Sequence, residues 1–194
     1  MGTGGRDTTD QLIKVLGERG YSFTTSAERE LARDAKEKLC YVAKDYNAEM
    51  AKYVSSSELE KCYELCSGLA NQRFRAPEII FNPLVGGSKQ SGLDWLCQWS
   101  MEKCNVEIRK DLLENIVLAG GNTLFDGFAE RLEKDVAHLV LPMFTPKAIA
   151  PAERQYSAWM GGSMLGLSSG FKDISISRSE YDEHGPKLVH RKCF

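Results

Sequence analysis

Residues 115–119 (NIVLA) form an apolar run of strand length that enters the glycine pair Gly120 and Gly121 directly. A helical repeat follows, with Phe128, Leu132 and Val136 at four-residue spacing and Asp126 placed to cap it. A strand, a glycine turn and a helix in that order constrain the fold more than any other segment of the chain. The strand is too apolar to face water, so the helix must cover it, as in α/β architectures. Residues 148–150 (AIA) read as a second short strand. Two glycines after a strand are ordinarily just a tight turn. Their lack of side chains also lets backbone N–H groups approach a phosphate or a ribose.

The second informative segment is a helix-like run from Ser26 to Ala43. Thr25 and Glu28 have the spacing of a capping box. Leu31, Ala35, Leu39 and Val42 repeat at helical spacing and predict a buried stripe. Arg33, Lys36 and Glu37 converge on another face, because residues three and four apart are neighbours on a helix. A solvated, salt-bridged face is the ordinary reading of such a triplet.

The remaining segments read more simply. Asp7 caps a helix bearing Leu12, Ile13 and Leu16, which Gly17 and Gly20 end. Residues 47–70 are polar and irregular. Residues 73–83 read as extended between prolines, and residues 85–92 as a loop. Helices are predicted over 93–104 and 108–113. Residues 157–167 are small, Gly-rich and apolar, which predicts a tightly packed buried helix. Ser177 and Glu180 form a second capping box, closed by Gly185 and Pro186.

Composition narrows the function classes. An apolar content of 42% over 194 residues supports a sizeable core. A net charge of −2 argues against nucleic acid as the main partner. The six cysteines are not dense enough for a secreted disulfide scaffold. The one close pair, Cys62 and Cys66, lacks the further ligands of a zinc site. The first residues carry no apolar signal core, and no run approaches the ~20 apolar residues of a membrane span. These features together read as a cytoplasmic chain.

A family resemblance is carried by many stretches. They include Arg6 with Asp7, residues 20–25 (GYSFTT), 27–30 (AERE), 36–43 (KEKLCYVA), 73–75 (RFR) and 108–112 (IRKDL). Tyr156 with Ser157, residues 180–183 (EYDE) and 189–194 (VHRKCF) continue it to the C-terminus. The chain resembles the C-terminal half of an actin. That resemblance implies an actin-like fold of the ribonuclease-H-like, sugar-kinase type, restricted to the second nucleotide-binding lobe plus the C-terminal helices. It assigns residues 1–24 and 71–155 to the lobe core, 25–70 to an inserted helical subdomain, and 156–194 to helices that pack on the first lobe in actins.

The resemblance also implies a nucleotide site. It places Arg33, Lys36 and Glu37 beside adenine and ribose, with Glu37 accepting from ribose hydroxyls. It places Gly120 and Gly121 at the glycine turn, and Asn122, Leu124 and Phe125 against the base. The implied cofactor is ATP or ADP with Mg2+, held weakly. Gln155 stands where actins carry a lysine, Ser175 where they carry a tryptophan, and at least four residues are missing between Glu64 and Asn71.

Neither of the Asp-Gly phosphate-clamping hairpins of an actin ATPase occurs, and the three histidines match no catalytic position. The sequence therefore predicts no catalytic residue, no protein metal site and little hydrolysis by this chain alone. The implied role is a cytoskeletal one in filament or complex assembly, with actin or actin-binding proteins as partners and neither nucleic acid nor membrane. The alternatives are a nucleotide-free structural subunit of a larger actin-containing complex, an actin-type ATPase completed by another chain, and a fragment of a longer actin. Residues 81–99, with Leu84, Val85, Trp95 and Trp99, correspond to a segment that packs between strands of the filament. Loss of the first lobe is expected to expose the apolar face of residues 157–167 and 181–194.

Overall fold

The computed structural model describes residues 3–56, 60–63 and 66–192. The chain begins with helix α1 (Gly5–Gly17), which packs against α2 (Ser26–Leu39). Helix α3 (Tyr46–Ser55) follows, then an antiparallel pair, β1 (Lys61–Tyr63) and β2 (Cys66–Leu69). Helix α4 (Gln72–Arg75) leads into two 3-10 turns, Pro77–Ile80 and Pro83–Gly86. Helices α5 (Leu93–Glu102) and α6 (Arg109–Glu114) precede a unit of β3 (Ile116–Val117), α7 (Phe128–Leu139) and β4 (Ala148–Ile149). The C-terminal segment carries α8 (Ser157–Leu167), α9 (Phe171–Ile174), α10 (Arg178–His184) and α11 (Val189–Lys192).

The β3–α7–β4 unit realises the strand–turn–helix pattern. β3 and β4 are parallel, with Ile116 opposite Ala148 and Val117 opposite Ile149. The Leu118 amide extends the ladder by donating to the Ile149 carbonyl at 2.9 Å. Parallel strands need a crossover, and α7 supplies it. Phe128, Leu132 and Val136 of α7 are buried as the spacing predicts, together with Leu118, Phe125 and Leu113. The same core takes in Leu12 and Leu16 of α1, Ala35 of α2, and Ile80 and Phe81 from the Pro77–Ile80 turn and its end.

Both capping boxes form. The Glu28 amide donates to the Thr25 hydroxyl at 3.2 Å, while the Thr25 amide donates to the Glu28 carboxylate at 2.8 Å. Ser177 and Glu180 reproduce the arrangement on α10. These contacts are local, which is why the sequence carries them.

Several expectations are corrected. Helix α2 ends at Leu39 instead of running to Ala43, and Cys40 turns into extended backbone. Its buried face is Ala32, Ala35 and Lys36, while Leu31 stays exposed. Ala32 is 1% exposed where Leu31 is 38% exposed, so the buried face is rotated by one residue from the Leu31 stripe. Val42 is buried through its extended backbone, not through the helix. Asp7 is not the cap of α1. Gly4 is, and the Asp7 carboxylate accepts from the Gly4 amide at 2.6 Å.

Residues 73–83 are helical turns rather than extended chain, with Pro77 and Pro83 each at the start of a turn. Proline is suited to that position because the amide it lacks would have no partner there. Residues 47–70 hold α3 and the β1–β2 pair instead of irregular chain. Asp45 caps α3 by accepting from the Ala48 amide at 3.0 Å. The strand pair forms despite the shortened sequence, with Lys61 opposite Leu69 and Tyr63 opposite Cys66 around an irregular register. The side chains of Cys62 and Cys66, the positions of Glu64 and Leu65, and Cys193 lie outside the described residues.

Gly127, not Asp126, is the N-terminal cap of α7. Its φ of +78° favours glycine, and a Cβ there would meet the Val42 carbonyl at 2.4 Å. Helix α8 forms over the expected residues, but none of them is buried. Trp159 is 74% exposed and Leu167 is 86% exposed. A helix apolar on all sides is normally an interior helix. The expected exposure of this segment is what the structure shows, and the expected tight burial is not.

Candidate functional site

A cleft of about 830 Å³ opens between α2 and the 3-10 turn Gly121–Leu124, with the start of α1 closing one end. Arg33, Lys36, Glu37, Gly120, Gly121, Asn122, Leu124 and Phe125 all line it, and so does Gln155. The two sequence segments lie more than eighty residues apart and face each other across this space. Their juxtaposition comes from one backbone seam. The Val42 amide donates to the Asp126 carbonyl at 2.8 Å, and Tyr41 forms a parallel bridge with Asp126. The extension of α2 is thereby stitched to the end of the glycine turn.

The α2 wall is charged and half-exposed. Arg33 Nη2 lies 2.9 Å from Glu30 and its Nε lies 3.8 Å from Glu37. The Glu37 side chain is 58% exposed, so its carboxylate retains acceptor capacity for a ligand hydroxyl. Lys36 behaves differently from its neighbours. It is 5% exposed, and its ammonium donates to the Gly5 carbonyl at 3.1 Å and to the Thr9 hydroxyl at 3.2 Å. Burial pushes its pKa below the usual lysine value. Lys36 therefore ties α2 to the start of α1 rather than projecting its charge into the cleft.

The opposite wall is the glycine turn. The Gly120 amide donates to the Arg154 carbonyl at 2.7 Å. The Arg154 guanidinium returns two bonds to the Thr123 carbonyl, both at 3.2 Å. This clamp fixes the turn and sets Gln155 at its edge. It also uses the Gly120 N–H that the sequence reading directed toward a ligand. The amides of Gly121 and Asn122 open the 3-10 turn, where the turn itself offers no partner. Phe125 is 7% exposed and forms part of the core beneath the cleft, while Leu124 is 37% exposed at its surface. Cys40 also lines the cleft, but burial pushes its thiol up to about 12, so it is not a nucleophile.

Sequence reasoning missed the contribution of α1. Gly5, Arg6 and Thr9 line the cleft, and a Cβ on Gly5 would lie 3.1 Å from Asn122 Oδ1. Arg6 belongs to one of the stretches that carry the resemblance, but nothing local says that α1 abuts the glycine turn. Arg29, Glu30 and Lys38 complete the α2 wall. Arg154 was also missed as the residue that holds the turn. Among the described residues no group of three or more His, Cys, Asp or Glu side chains is placed to hold a metal ion.

This arrangement offers an apolar edge at Leu124, an exposed carboxylate at Glu37 and an amide at Gln155, in a cleft within the usual ~300–1,000 Å³ of small-molecule sites. The actin family model matches residues 6–194 of the chain.

Proposed function

Because the chain belongs to the actin family, we propose that it is an actin-like cytoskeletal protein holding the adenosine part of ATP or ADP in this cleft. In this reading it works in the cytoplasm through assembly with actin or actin-binding proteins, not through turnover. The observation that carries the nucleotide reading is the convergence of eight residues from two distant segments on one cleft of suitable volume. Glu37 accepts from the ribose hydroxyls, Arg33 and Leu124 flank the base, and Gln155 supplies an amide at the edge. Mg2+ would arrive on the nucleotide phosphates, since its water-rich octahedral shell asks little of the protein.

The assembly reading is supported by exposed apolar side chains. Leu84 is 68% exposed, and Trp95 and Trp99 are each about half exposed, on the segment expected to face a neighbouring subunit. No helix among the described residues is long and apolar enough to cross a membrane.

The test is calorimetric titration of the folded chain with Mg-ATP and Mg-ADP, with Arg33→Ala/Glu37→Ala as the control. Saturable binding that weakens at least about tenfold in the control supports the site, since two polar contacts of ordinary strength are removed. A folded chain that binds neither nucleotide sinks it. A second reading, a nucleotide-free structural subunit of an actin-containing complex, is favoured by the protein partners already held by Lys36 and Gly120.

A further inference from the structure

We infer that the outer edge of β3 is a self-association surface, on which the same edge of a second copy of this chain docks as an antiparallel strand. Residues 115–119 carry no ionisable side chain and read as a buried strand, yet among the described residues β3 has a neighbouring strand on one side only. Val117 is 64% exposed, and Asn115 and Ala119 are exposed beside it. Such pairing requires no ligand in the cleft.

The direction of each backbone group follows from the bonds already made. The amides of Ile116, Leu118 and Gly120 donate to the carbonyls of Lys147, Ile149 and Arg154, all on the β4 side. Every peptide of this run is trans, so the carbonyl that shares a peptide with each of these amides points the other way. The carbonyls of Asn115, Val117 and Ala119 therefore face outward. In the parallel ladder of β3 on β4, the amides of Val117 and Ala119 alternate to that outer side too. Among the described residues neither amide has a hydrogen-bond partner. The far edge of β4 is closed, because the Ala148 amide donates to the Glu133 carboxylate of α7 at 2.7 Å. The β3 edge carries none of the lysines, prolines or bulges that usually blunt an open edge.

The chemistry of this edge fits a copy of itself. A two-fold axis through Val117 sets that residue opposite its own counterpart, each amide donating to the other's carbonyl. The same axis sets Ala119 opposite Asn115, so that the Ala119 amide meets the outward Asn115 carbonyl. The Asn115 amide is not needed and keeps its bond to the Leu112 carbonyl at 3.3 Å. Glu114 falls opposite Gly120, so no like charges meet along the seam. A charged strand would find nothing here to pair with, whereas a second copy presents the same neutral, apolar row. The contact is isologous and closes as a dimer instead of growing into a filament.

The experiment is sedimentation equilibrium of the full chain over a wide concentration range, for wild type, Val117→Lys, Val117→Glu and an equimolar mixture of the two variants. Wild type is expected to reach a dimer and to stop there. Each variant alone sets like charges across the axis and is expected to weaken the dimer at least about tenfold. The mixture sets opposite charges there and is expected to restore it. Exposure of Val117 predicts an unchanged urea midpoint for both variants, which checks that they fold. Amide hydrogen exchange of wild type needs no substitution: exchange at Val117 and Ala119 is expected to slow as the concentration rises. A wild type that stays monomeric overturns the inference and leaves the edge to a strand of another protein. A dimer indifferent to Val117→Lys, a mixture that fails to restore association, or exchange at Val117 that ignores concentration overturns it as well.

Discussion

Replacing Arg131 by methionine tests the energetics of the core beneath the site. Arg131 is 9% exposed and Glu78 is 2% exposed. The guanidinium gives two bonds to the Glu78 carboxylate, each at 3.0 Å, one to the Ala43 carbonyl at 2.8 Å, and another to Asp135. Its face lies 4.9 Å from the centre of the Phe81 ring. Arg131→Met keeps most of the packing volume and leaves Glu78 buried without its cation.

Removing one partner of a buried ion pair costs about 3–5 kcal/mol, against a typical total stability of ~5–15 kcal/mol. At ~2–4 °C per kcal/mol for a chain of this size, the melting temperature falls by roughly 6–20 °C. The assay is urea unfolding followed by circular dichroism, with thermal melts beside it. The double variant Arg131→Met/Glu78→Met should lose clearly less than Arg131→Met alone, because no uncompensated charge remains.

The pH dependence has a definite sign. Burial holds the Glu78 carboxyl above its ordinary value, and losing Arg131 raises it further. A folded-state pKa above the unfolded one means that the folded state binds more protons, so stability is gained as pH falls through it. The penalty of Arg131→Met therefore shrinks between neutral pH and the usual carboxylate range. A loss below about 1 kcal/mol, or a double variant as unstable as the sum of the singles, would refute the buried-pair reasoning.

Four further outcomes are expected. Gly127→Ala should lose at least about 2 kcal/mol in urea unfolding, because positive φ costs ~1–2 kcal/mol and the new Cβ meets the Val42 carbonyl. Gly87→Ala has a similar φ of +88° but nothing within 4 Å of its Cβ, so it should lose only the conformational part. Thr25→Ala should cost about 1 kcal/mol by uncapping α2, read as a shift in the urea midpoint. The hydrogen bond from Lys192, followed by the Ser177 cap, holds the Glu180 carboxyl down to about 2. Its contribution is present above 4.5 and is lost as pH falls from there toward 2, and carboxyl NMR of Lys192→Ala should show the titration moving back up.

What the sequence made legible follows the range of the interactions involved. The capping boxes at Thr25 and Ser177 depend on residues three apart, and both could be read directly. The Phe128, Leu132 and Val136 face depends on one period, and it too was legible. The face of α2 was misread by one residue because its choice is made by α1. Residues 73–83 were misread because their partners are remote: Arg73 Nε donates to the Leu39 carbonyl at 2.8 Å, and the Arg73 guanidinium lies over the Tyr41 ring. The eight candidate site residues came from family resemblance, and the structure places them all on one cleft. The inward turn of Lys36 and the engaged Gly120 amide were not legible. Each depends on a carbonyl, of Gly5 or of Arg154, that only the folded chain brings near.

The seam between Val42 and Asp126 also fixes the rotational phase of α2. Adjacent residues on a helix differ by about 100°, so each residue counted back from the seam has a set azimuth. Deleting Lys38, within the last turn of α2, would turn the rest of the helix by that angle while the seam held. Arg33 and Glu37 would swing off the wall with their identities unchanged, and Lys36 would leave Gly5 and Thr9. For this cleft, the number of residues between seam and helix is as much a part of the site as the side chains that line it.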